Sequence, residues 1–89
     1  MTEYGIEVRV TPRRGILDPQ GKAVGGALSS LGFDGVGEVH VGRLIVFRLT
    51  AASEAEARER VDGMCRQLLA NPVTEDYDVA VHAAAGSHA

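Results

Sequence analysis

Two short strings of residues set the order of secondary structure in this chain. Leu17–Gly21 and Leu69–Tyr77 each lie where a strand pattern meets a helix pattern. In the first string, Asp18 can accept a hydrogen bond from a free N–H group at a helix start, and Pro19 at the first helical position sacrifices no hydrogen bond. In the second, Asn71 precedes a proline and therefore avoids the helical conformation. The first string predicts the start of a helix, and the second predicts the end of another.

The segment before the first string has the pattern of a strand with one buried face. Its apolar side chains recur at every second position, and Pro12 ends the pattern. The segment after the string has apolar side chains at the spacing of one helix face, and Gly32 is typical of the left-handed residue that follows a helix. The strand residues are Tyr4, Ile6, Val8 and Val10, and the helix residues are Val24, Ala27, Leu28 and Leu31.

Three further strands and a second helix are predicted in the rest of the chain. Residues 36–41 and 44–50 have strand patterns, and Gly42-Arg43 between them is short enough for an antiparallel hairpin. Ser53 and Glu56 form a capping box at the start of the second helix. The buried stripe of that helix is expected to contain Ala57, Val61, Met64, Cys65 and Leu68, and the last strand is expected to contain Tyr77, Val79 and Val81.

This order of elements, strand-helix-strand-strand-helix-strand, is that of the ferredoxin-like split β-α-β fold. The sequence therefore predicts an α+β domain with a four-stranded antiparallel sheet and two helices on one face. A chain of 89 residues has room for one domain, which we place at residues 1–82. Residues 83–89 contain no large apolar side chain, so a flexible tail is predicted there.

The second strand of the predicted hairpin has apolar side chains on both faces. Ile45, Phe47 and Leu49 alternate with Leu44 and Val46. We assign the phenylalanine side to the helices and expect Leu44 and Val46 on the open side of the sheet. Complete burial of each would contribute roughly 1.5 to 3 kcal/mol to a complex. The sequence therefore suggests a homodimer formed by this open face or by a strand edge beside it.

Charge and composition argue against several classes of partner. The formal net charge is −3 with both signs interspersed, so no basic face for nucleic acid is expected. The apolar runs are far shorter than a membrane span, and the charged residues near the N-terminus do not fit a signal peptide. Cys65 is the single cysteine and cannot form an internal disulfide, which favours a reducing compartment, the cytoplasm.

Few residues suggest catalysis or cofactor binding. His40, His82 and His88 lack the spacing of a metal site, and Cys65 lies in the predicted helix stripe, where a core thiol is the simplest interpretation. No glycine-rich sequence matches a phosphate-binding loop. We therefore predict no catalytic residue, metal or cofactor for this chain alone. Gly25-Gly26 within the first helix is explained either by close approach of another backbone or by a loose helix.

The loops around the two strings have more polar residues than their turns require. Loops held by a rigid scaffold often carry binding residues, so contact with a partner and plain solvation are both reasonable interpretations. The candidates for partner contact are Arg13, Arg14, Asp18, Gln20, Lys22, Asn71, Glu75, Asp76 and Tyr77.

Taken together and in order, these motifs resemble the PurS family, the small subunit of phosphoribosylformylglycinamidine synthase in purine biosynthesis. The resemblance spans residues 3–82 and adds Arg43 to the candidates for partner contact. It departs at Arg13 and Arg43, where the family more often has lysine, and at Thr74, where an aliphatic residue is usual. The motifs are Leu17–Gly21, Leu31-Gly32, Val41–Arg43, Met64-Cys65, Leu68–Val73 and Glu75–Tyr77.

The resemblance implies a non-catalytic subunit of a glutamine- and ATP-dependent C–N ligase. In that family a PurQ-like glutaminase subunit releases ammonia, and a PurL-like synthetase subunit consumes it with ATP and Mg. The small subunit, as a dimer or a tetramer, bridges the two and assists the transfer of ammonia.

Two other functions fit the same predicted fold. An ACT-like regulatory module would bind an amino acid at a dimer interface through the loop Arg14-Gly15-Ile16. A small enzyme built as a dimeric ferredoxin-like barrel would need an acid or base in a cavity under the sheet. His40 is the candidate for that role, although a surface histidine is the simpler interpretation.

Overall fold

The computed structural model describes residues 1–83 and contains one antiparallel sheet of three strands. The sheet has the order β2-β1-β3, and β1 pairs with a neighbour along each edge, so that Val8 lies opposite both Ile45 and Val79. The elements are β1 (Thr2–Pro12), α1 (Pro19–Ser30), β2 (Arg43–Ala51), α2 (Glu54–Met64), a short π-helix (Cys65–Leu69) and β3 (Glu75–Ala83).

The core lies between one face of this sheet and α2. Ile6, Val8 and Val10 of β1 are fully buried against Val61 and Cys65. This is the face that the alternating pattern predicted, because every second residue of a strand points to the same side. The prediction for β2 is also confirmed, since its phenylalanine face packs against the core and Leu44 and Val46 are 58% and 53% exposed on the other side.

The predicted fourth strand is absent from the described part of the chain. Residues 36–41 form no strand, and the hairpin at Gly42-Arg43 is also absent, since Arg43 is already the first residue of β2. The segment instead follows α1: the Val41 N–H donates to Asp18 Oδ2 at 2.8 Å, and the Val39 carbonyl lies against Gly21. The four-stranded ferredoxin-like prediction is therefore wrong in its strand count, because contacts with Asp18 and Gly21, distant in the sequence, hold this segment along α1 instead of along β2.

The prediction of two helices on one face is also wrong. α1 makes no extensive contact with another helix or strand, and no residue of the core cluster comes from it. Within α1 only Gly21 is buried, whereas Val24 of the predicted stripe is 41% exposed and Leu31, which follows α1, is 73% exposed. We call residues 16–41, which comprise α1 and the segment that returns along it, the arm.

The molecule is elongated. The Cα radius of gyration is 16.5 Å and the longest axis is 51 Å, whereas a compact domain of this length would have a radius of gyration of about 12 Å.

α2 begins as predicted and ends differently. Ser53 Oγ accepts a hydrogen bond from the Glu56 N–H at 3.1 Å, and Glu56 Oε1 accepts one from the Ala52 N–H at 2.8 Å. After Met64 the helix widens into the π-helix, which turns Leu68 outward so that it is 82% exposed, while Leu69 packs against the core. Leu68 was therefore wrongly assigned to the buried stripe, since a π-helix shifts the faces set by a period of 3.6 residues.

The C-terminal strand extends one residue beyond the predicted domain boundary. Ala83, the first residue of the predicted tail, lies opposite Tyr4 of β1. The rest of that predicted tail, residues 84–89, lies outside the described residues. Within residues 1–83, no helix has the length and apolar character needed to cross a membrane.

Candidate partner-binding site

Most of the predicted contact residues gather at one end of the sheet. β1 ends there, β2 and β3 begin there, and the register places Arg43 opposite Val10 and Glu75 opposite Pro12. We call this the junction end. The second string lies at this end, because its last three residues begin β3, and the first string contains the start of α1, a few residues after the end of β1.

Arg43 and Glu75 form a two-pronged ion pair at the junction end. Arg43 Nη1 donates to Glu75 Oε2 at 2.8 Å, and Nη2 donates to Oε1 at 3.0 Å. Nη2 also donates to the Leu69 carbonyl at 2.6 Å, which ties the end of the π-helix to the sheet. The pair raises the pKa of Arg43 and, together with the Asn71 N–H, lowers the pKa of Glu75. The planar guanidinium suits this geometry in a way that lysine would not.

The loop from Asn71 to Thr74 is fixed by the same residues. The Asn71 N–H donates to Glu75 Oε1 at 2.7 Å, and Asn71 Oδ1 accepts from the Val73 N–H at 3.0 Å. Arg13 donates from its backbone to the Thr74 carbonyl at 2.9 Å and from its side chain to the Pro72 carbonyl. Its Nε also lies 3.5 Å from Asp76 Oδ1. The side chains of Arg13, Asn71 and Glu75 therefore fix the backbone of this loop.

Asp18 joins the start of α1 to the returning segment of the arm. Oδ1 accepts from the Gly21 N–H at 2.9 Å, as predicted for a helix cap, and Oδ2 accepts from the Val41 N–H at 2.8 Å. These two backbone hydrogen bonds lower the pKa of Asp18 below its usual value. His40 Nδ1 lies 3.5 Å from Oδ2, so the histidine belongs to this cluster.

Tyr77 and Cys65 lie on the core side of the sheet. The Tyr77 hydroxyl donates a hydrogen bond to Asp62, and this bond raises the pKa of Tyr77. Cys65 is fully buried, and its burial raises the pKa of the thiol, which disfavours the thiolate. The interpretation of Cys65 as a core thiol is therefore confirmed.

Three of the candidate side chains form no such internal hydrogen bonds or ion pairs with residues 1–83. Arg14, Gln20 and Lys22 are exposed, and their side chains make no hydrogen bond or ion pair with the described part of the chain. Lys22 borders an open cleft of about 360 Å³ between the start of α1 and the returning segment. The other residues that line this cleft are Ile16, Leu17, Asp18, Gly25, Gly37, Glu38, Val39 and His40.

Backbone carbonyl groups closely approach two glycines, Gly21 and Gly42, and the sequence analysis did not predict these contacts. A Cβ atom on Gly21 would lie 2.0 Å from the Val39 carbonyl oxygen, and one on Gly42 would lie 2.2 Å from the Val10 carbonyl oxygen. Gly25 would meet Val39 only at ordinary contact distances, and nothing lies within 4 Å of Gly26. A close approach of another backbone therefore explains Gly21 rather than Gly25-Gly26. The structure gives no packing reason for Gly26.

Comparison with known proteins identifies the family. The family model described as "PurS: Phosphoribosylformylglycinamidine (FGAM) synthase" matches residues 5–83. The chain belongs to the PurS family. A PurS subunit of phosphoribosylformylglycinamidine synthase from Synechocystis is 44% identical over 84 residues, which cover 94% of this chain and 84% of the relative. The family predicted from the sequence motifs is confirmed, in preference to an ACT-like module.

Solved PurS structures share the architecture. The PurS of Methanocaldococcus jannaschii, described as a subunit of formylglycinamide ribonucleotide amidotransferase, matches with a TM-score of 0.79 at 36% identity, covering 90% of this chain and 96% of that one. A chain of the PurLQS structure from Thermotoga maritima matches with a TM-score of 0.83 at 28% identity, covering 91% and 99%. PurS chains thus occur both as separate structures and within a larger assembly.

Proposed function

We propose that this chain is the small subunit of a glutamine- and ATP-dependent phosphoribosylformylglycinamidine synthase, in which it bridges a PurQ-like glutaminase and a PurL-like synthetase. The observation that carries the proposal is the PurS family match over residues 5–83. The similarity to a chain of a PurLQS structure supports the assignment of partners.

The junction end supports a bridging role because side-chain hydrogen bonds hold its loop in place. Arg13, Arg43 and Glu75 hold the loop at Asn71, and Arg14, next to Arg13 in the chain, is exposed. A surface that is already ordered loses less conformational entropy when it binds. We propose the predicted contact residues of this end as part of the surface that meets the larger subunits.

The chemistry of ammonia explains why a bridging subunit is needed. At neutral pH free ammonia is mostly protonated, and ammonium has no lone pair for attack. Transfer therefore requires a closed path from which water is excluded. A subunit that holds two enzymes together contributes geometry and effective concentration, without reactive groups of its own. In this proposal ATP and Mg are bound by the complex, which works in the cytoplasm.

The proposal also includes association of this chain with copies of itself. Leu44 and Val46 are exposed on the open face of the sheet, next to the junction end. The edge of β2 beside them has no strand partner within residues 1–83. Apolar side chains beside a free strand edge are typical of a surface that is covered in an assembly.

The test is a comparison of two nitrogen sources in the reconstituted complex. With the glutaminase and synthetase subunits present, omission of this chain should abolish glutamine-dependent synthesis while most synthesis from ammonium salt persists. Adding the purified chain back should restore the glutamine-dependent rate. Equal loss of both rates on omission would contradict a bridging role.

A further inference from the structure

Two aspartates of this chain are followed directly by glycine, in the pairs Asp34-Gly35 and Asp62-Gly63. In such a pair the backbone nitrogen of the glycine can attack the side-chain carboxyl carbon of the aspartate, because glycine has no Cβ atom to block the approach. The other aspartates and the one asparagine precede residues that lack an N–H group or carry a bulky side chain, namely Pro19, Tyr77, Val79 and Pro72. The fold then decides which of the two pairs can react.

Asp34-Gly35 lies in the exposed loop that follows α1. Both residues are exposed, and Gly35 has a φ angle of +82°, in the left-handed region. The last hydrogen bond before the pair is donated by the Phe33 N–H to the Leu28 carbonyl at 3.1 Å. From Asp34 to His40, no backbone N–H donates a hydrogen bond within the described part of the chain. The Gly35 nitrogen is therefore available for attack.

The carboxyl group of Asp34 is equally unrestrained. It makes no hydrogen bond or ion pair with residues 1–83. Its side chain can therefore rotate until the carboxyl carbon faces the Gly35 nitrogen, without the loss of an internal contact.

Asp62-Gly63 has the same chemistry but is held in place. It lies near the end of α2, where each N–H donates to the carbonyl four residues earlier. Arg66 donates to Asp62 Oδ2, and the Tyr77 hydroxyl donates to Oδ1. Attack by the Gly63 nitrogen would require local opening of α2 and loss of these contacts. The fold thus protects this pair and leaves the other one open.

We propose that Asp34-Gly35 is a site of spontaneous backbone modification, at which the aspartate is converted to isoaspartate. The Gly35 nitrogen loses its proton and bonds to Asp34 Cγ, while the hydroxyl of the carboxyl group leaves as water, which closes a succinimide ring. Water then opens the ring at either carbonyl carbon. Opening at the main-chain carbonyl carbon leaves the backbone running through Cβ and Cγ. The reaction needs no oxidant, reductant or cofactor, and the product has the mass of the parent chain.

The product changes the loop in two ways. The backbone gains a methylene group between Asp34 Cα and the Gly35 nitrogen, and the former main-chain carbonyl becomes a free α-carboxylate that projects from the loop. This carboxylate is the group that isoaspartyl methyltransferases recognise, with S-adenosylmethionine as the methyl donor, so the aged chain is a substrate for that class of enzyme. The inference is independent of the proposed function, because it depends only on this loop.

Ageing of the intact chain tests the proposal. The purified protein is kept at physiological temperature in neutral buffer and sampled over several weeks. Trypsin, which cleaves after lysine and arginine, then releases residues 23–43 and 61–66, and each of these peptides contains a single aspartate, Asp34 or Asp62. Isoaspartate is measured by separation of the isobaric peptides and by enzymatic methyl transfer from labelled S-adenosylmethionine. We expect it to form at least about tenfold faster at Asp34 than at Asp62, since α2 must open first.

The unfolded chain separates the effect of the fold from that of the sequence. In guanidinium chloride both Asp-Gly pairs are present but neither is held by a helix, so their rates should approach each other. A difference that persists undiminished in the unfolded chain would show that neighbouring residues select the site, and would overturn the structural argument.

Asp34→Glu is the matched variant. It keeps the negative charge at an exposed position, but ring closure by its longer side chain is much slower. The variant should lose the methyl-accepting product from residues 23–43 and retain the slow reaction at Asp62. Methyl acceptance that persists in residues 23–43 of the variant would contradict the assignment to Asp34. Equal rates at the two pairs in the folded parent chain, or no isoaspartate at Asp34 after ageing, would overturn the proposal.

Discussion

At the scale of single residues, the side chains that look most like binding groups mainly hold the backbone. Arg43 and Glu75 fix the end of the π-helix, and Asp18 accepts hydrogen bonds from two separate segments. Their role in contact with a partner stays a prediction. Gly21 has a defined structural role as well, because it allows the Val39 carbonyl to approach α1.

The two glycines of α1 with the most different surroundings provide a matched test. Gly21→Ala should destabilise the chain by about 1–3 kcal/mol, because its Cβ atom would overlap the Val39 carbonyl oxygen. Gly26→Ala should stabilise it by about 0.4–1 kcal/mol, because that position is helical and nothing lies within 4 Å. Urea unfolding at pH 7 measures both, and equal effects of the two substitutions would contradict the close approach.

The lowered pKa values of Asp18 and Glu75 predict a loss of stability in acid. A carboxyl group whose pKa is lower in the folded state binds more protons when unfolded, so stability falls as the pH falls. We expect the free energy of unfolding to be constant from about pH 7 to 5 and to decrease below about pH 4.

A substitution isolates the contribution of Asp18 to this acid dependence. Asp18→Asn should lower stability at pH 7, because an amide NH₂ group would face one of the two N–H donors, Gly21 or Val41. The variant should also depend less on pH below about pH 4 than the parent chain. Acid unfolding curves of the two chains test this, and parallel curves would contradict the assignment.

At the scale of elements, the π-helix decides which of two adjacent leucines enters the core. Continuation of α2 with the same period would bury Leu68, yet the wider turn places Leu69 against the core. The Arg43 side chain, which donates to the Leu69 carbonyl at 2.6 Å, holds the end of this turn. A contact between residues 26 positions apart in the chain thus sets the phase of the helix end.

Truncation of each leucine tests this change of phase. Leu69→Ala should destabilise the chain by about 1–3 kcal/mol, since it removes a partly buried side chain from the core. Leu68→Ala should change stability by less than about 0.5 kcal/mol, because the side chain is 82% exposed. Thermal and urea unfolding of the two variants give the answer, and a larger effect at Leu68 would show that α2 continues without the π-helix.

At the scale of the whole molecule, the chain is a small domain with an extended arm and one ordered polar end. The sheet and α2 account for the core, to which the arm contributes no residue, and the longest axis of the molecule is 51 Å. The polar end lies where β1 ends and where β2 and β3 begin, at one end of the sheet that carries the core.

The exposed side chains of Arg14, after β1, and Lys22, in α1, predict an effect on assembly that is separate from stability. Arg14→Ala combined with Lys22→Ala should weaken binding to the larger subunits by about tenfold. The melting temperature should stay within about one or two degrees, because neither side chain is bonded to the described chain. Arg60→Ala is the control, since Arg60 lies at the other end of the sheet and donates to the Thr50 carbonyl. Unchanged binding with the double variant would remove these two residues from the interface.

Much of this protein follows from its sequence alone. The face of β1 that is buried, the capping box of α2, the Asp18 cap and the stop after the π-helix are all local, because they depend on residues within a few positions of one another. The two strings between the elements also identified the family.

Only the tertiary structure decided where the arm lies and how many strands the sheet has. The pattern of residues 36–41 fits a strand, but Asp18 binds the Val41 N–H, and Gly21 and Gly42 allow close approaches at Val39 and Val10. These contacts join residues that lie 18 or more positions apart in the chain. The periodicity of apolar residues does not predict these contacts. It shows which side chains favour burial, but it does not show which distant part of the chain will pack against them.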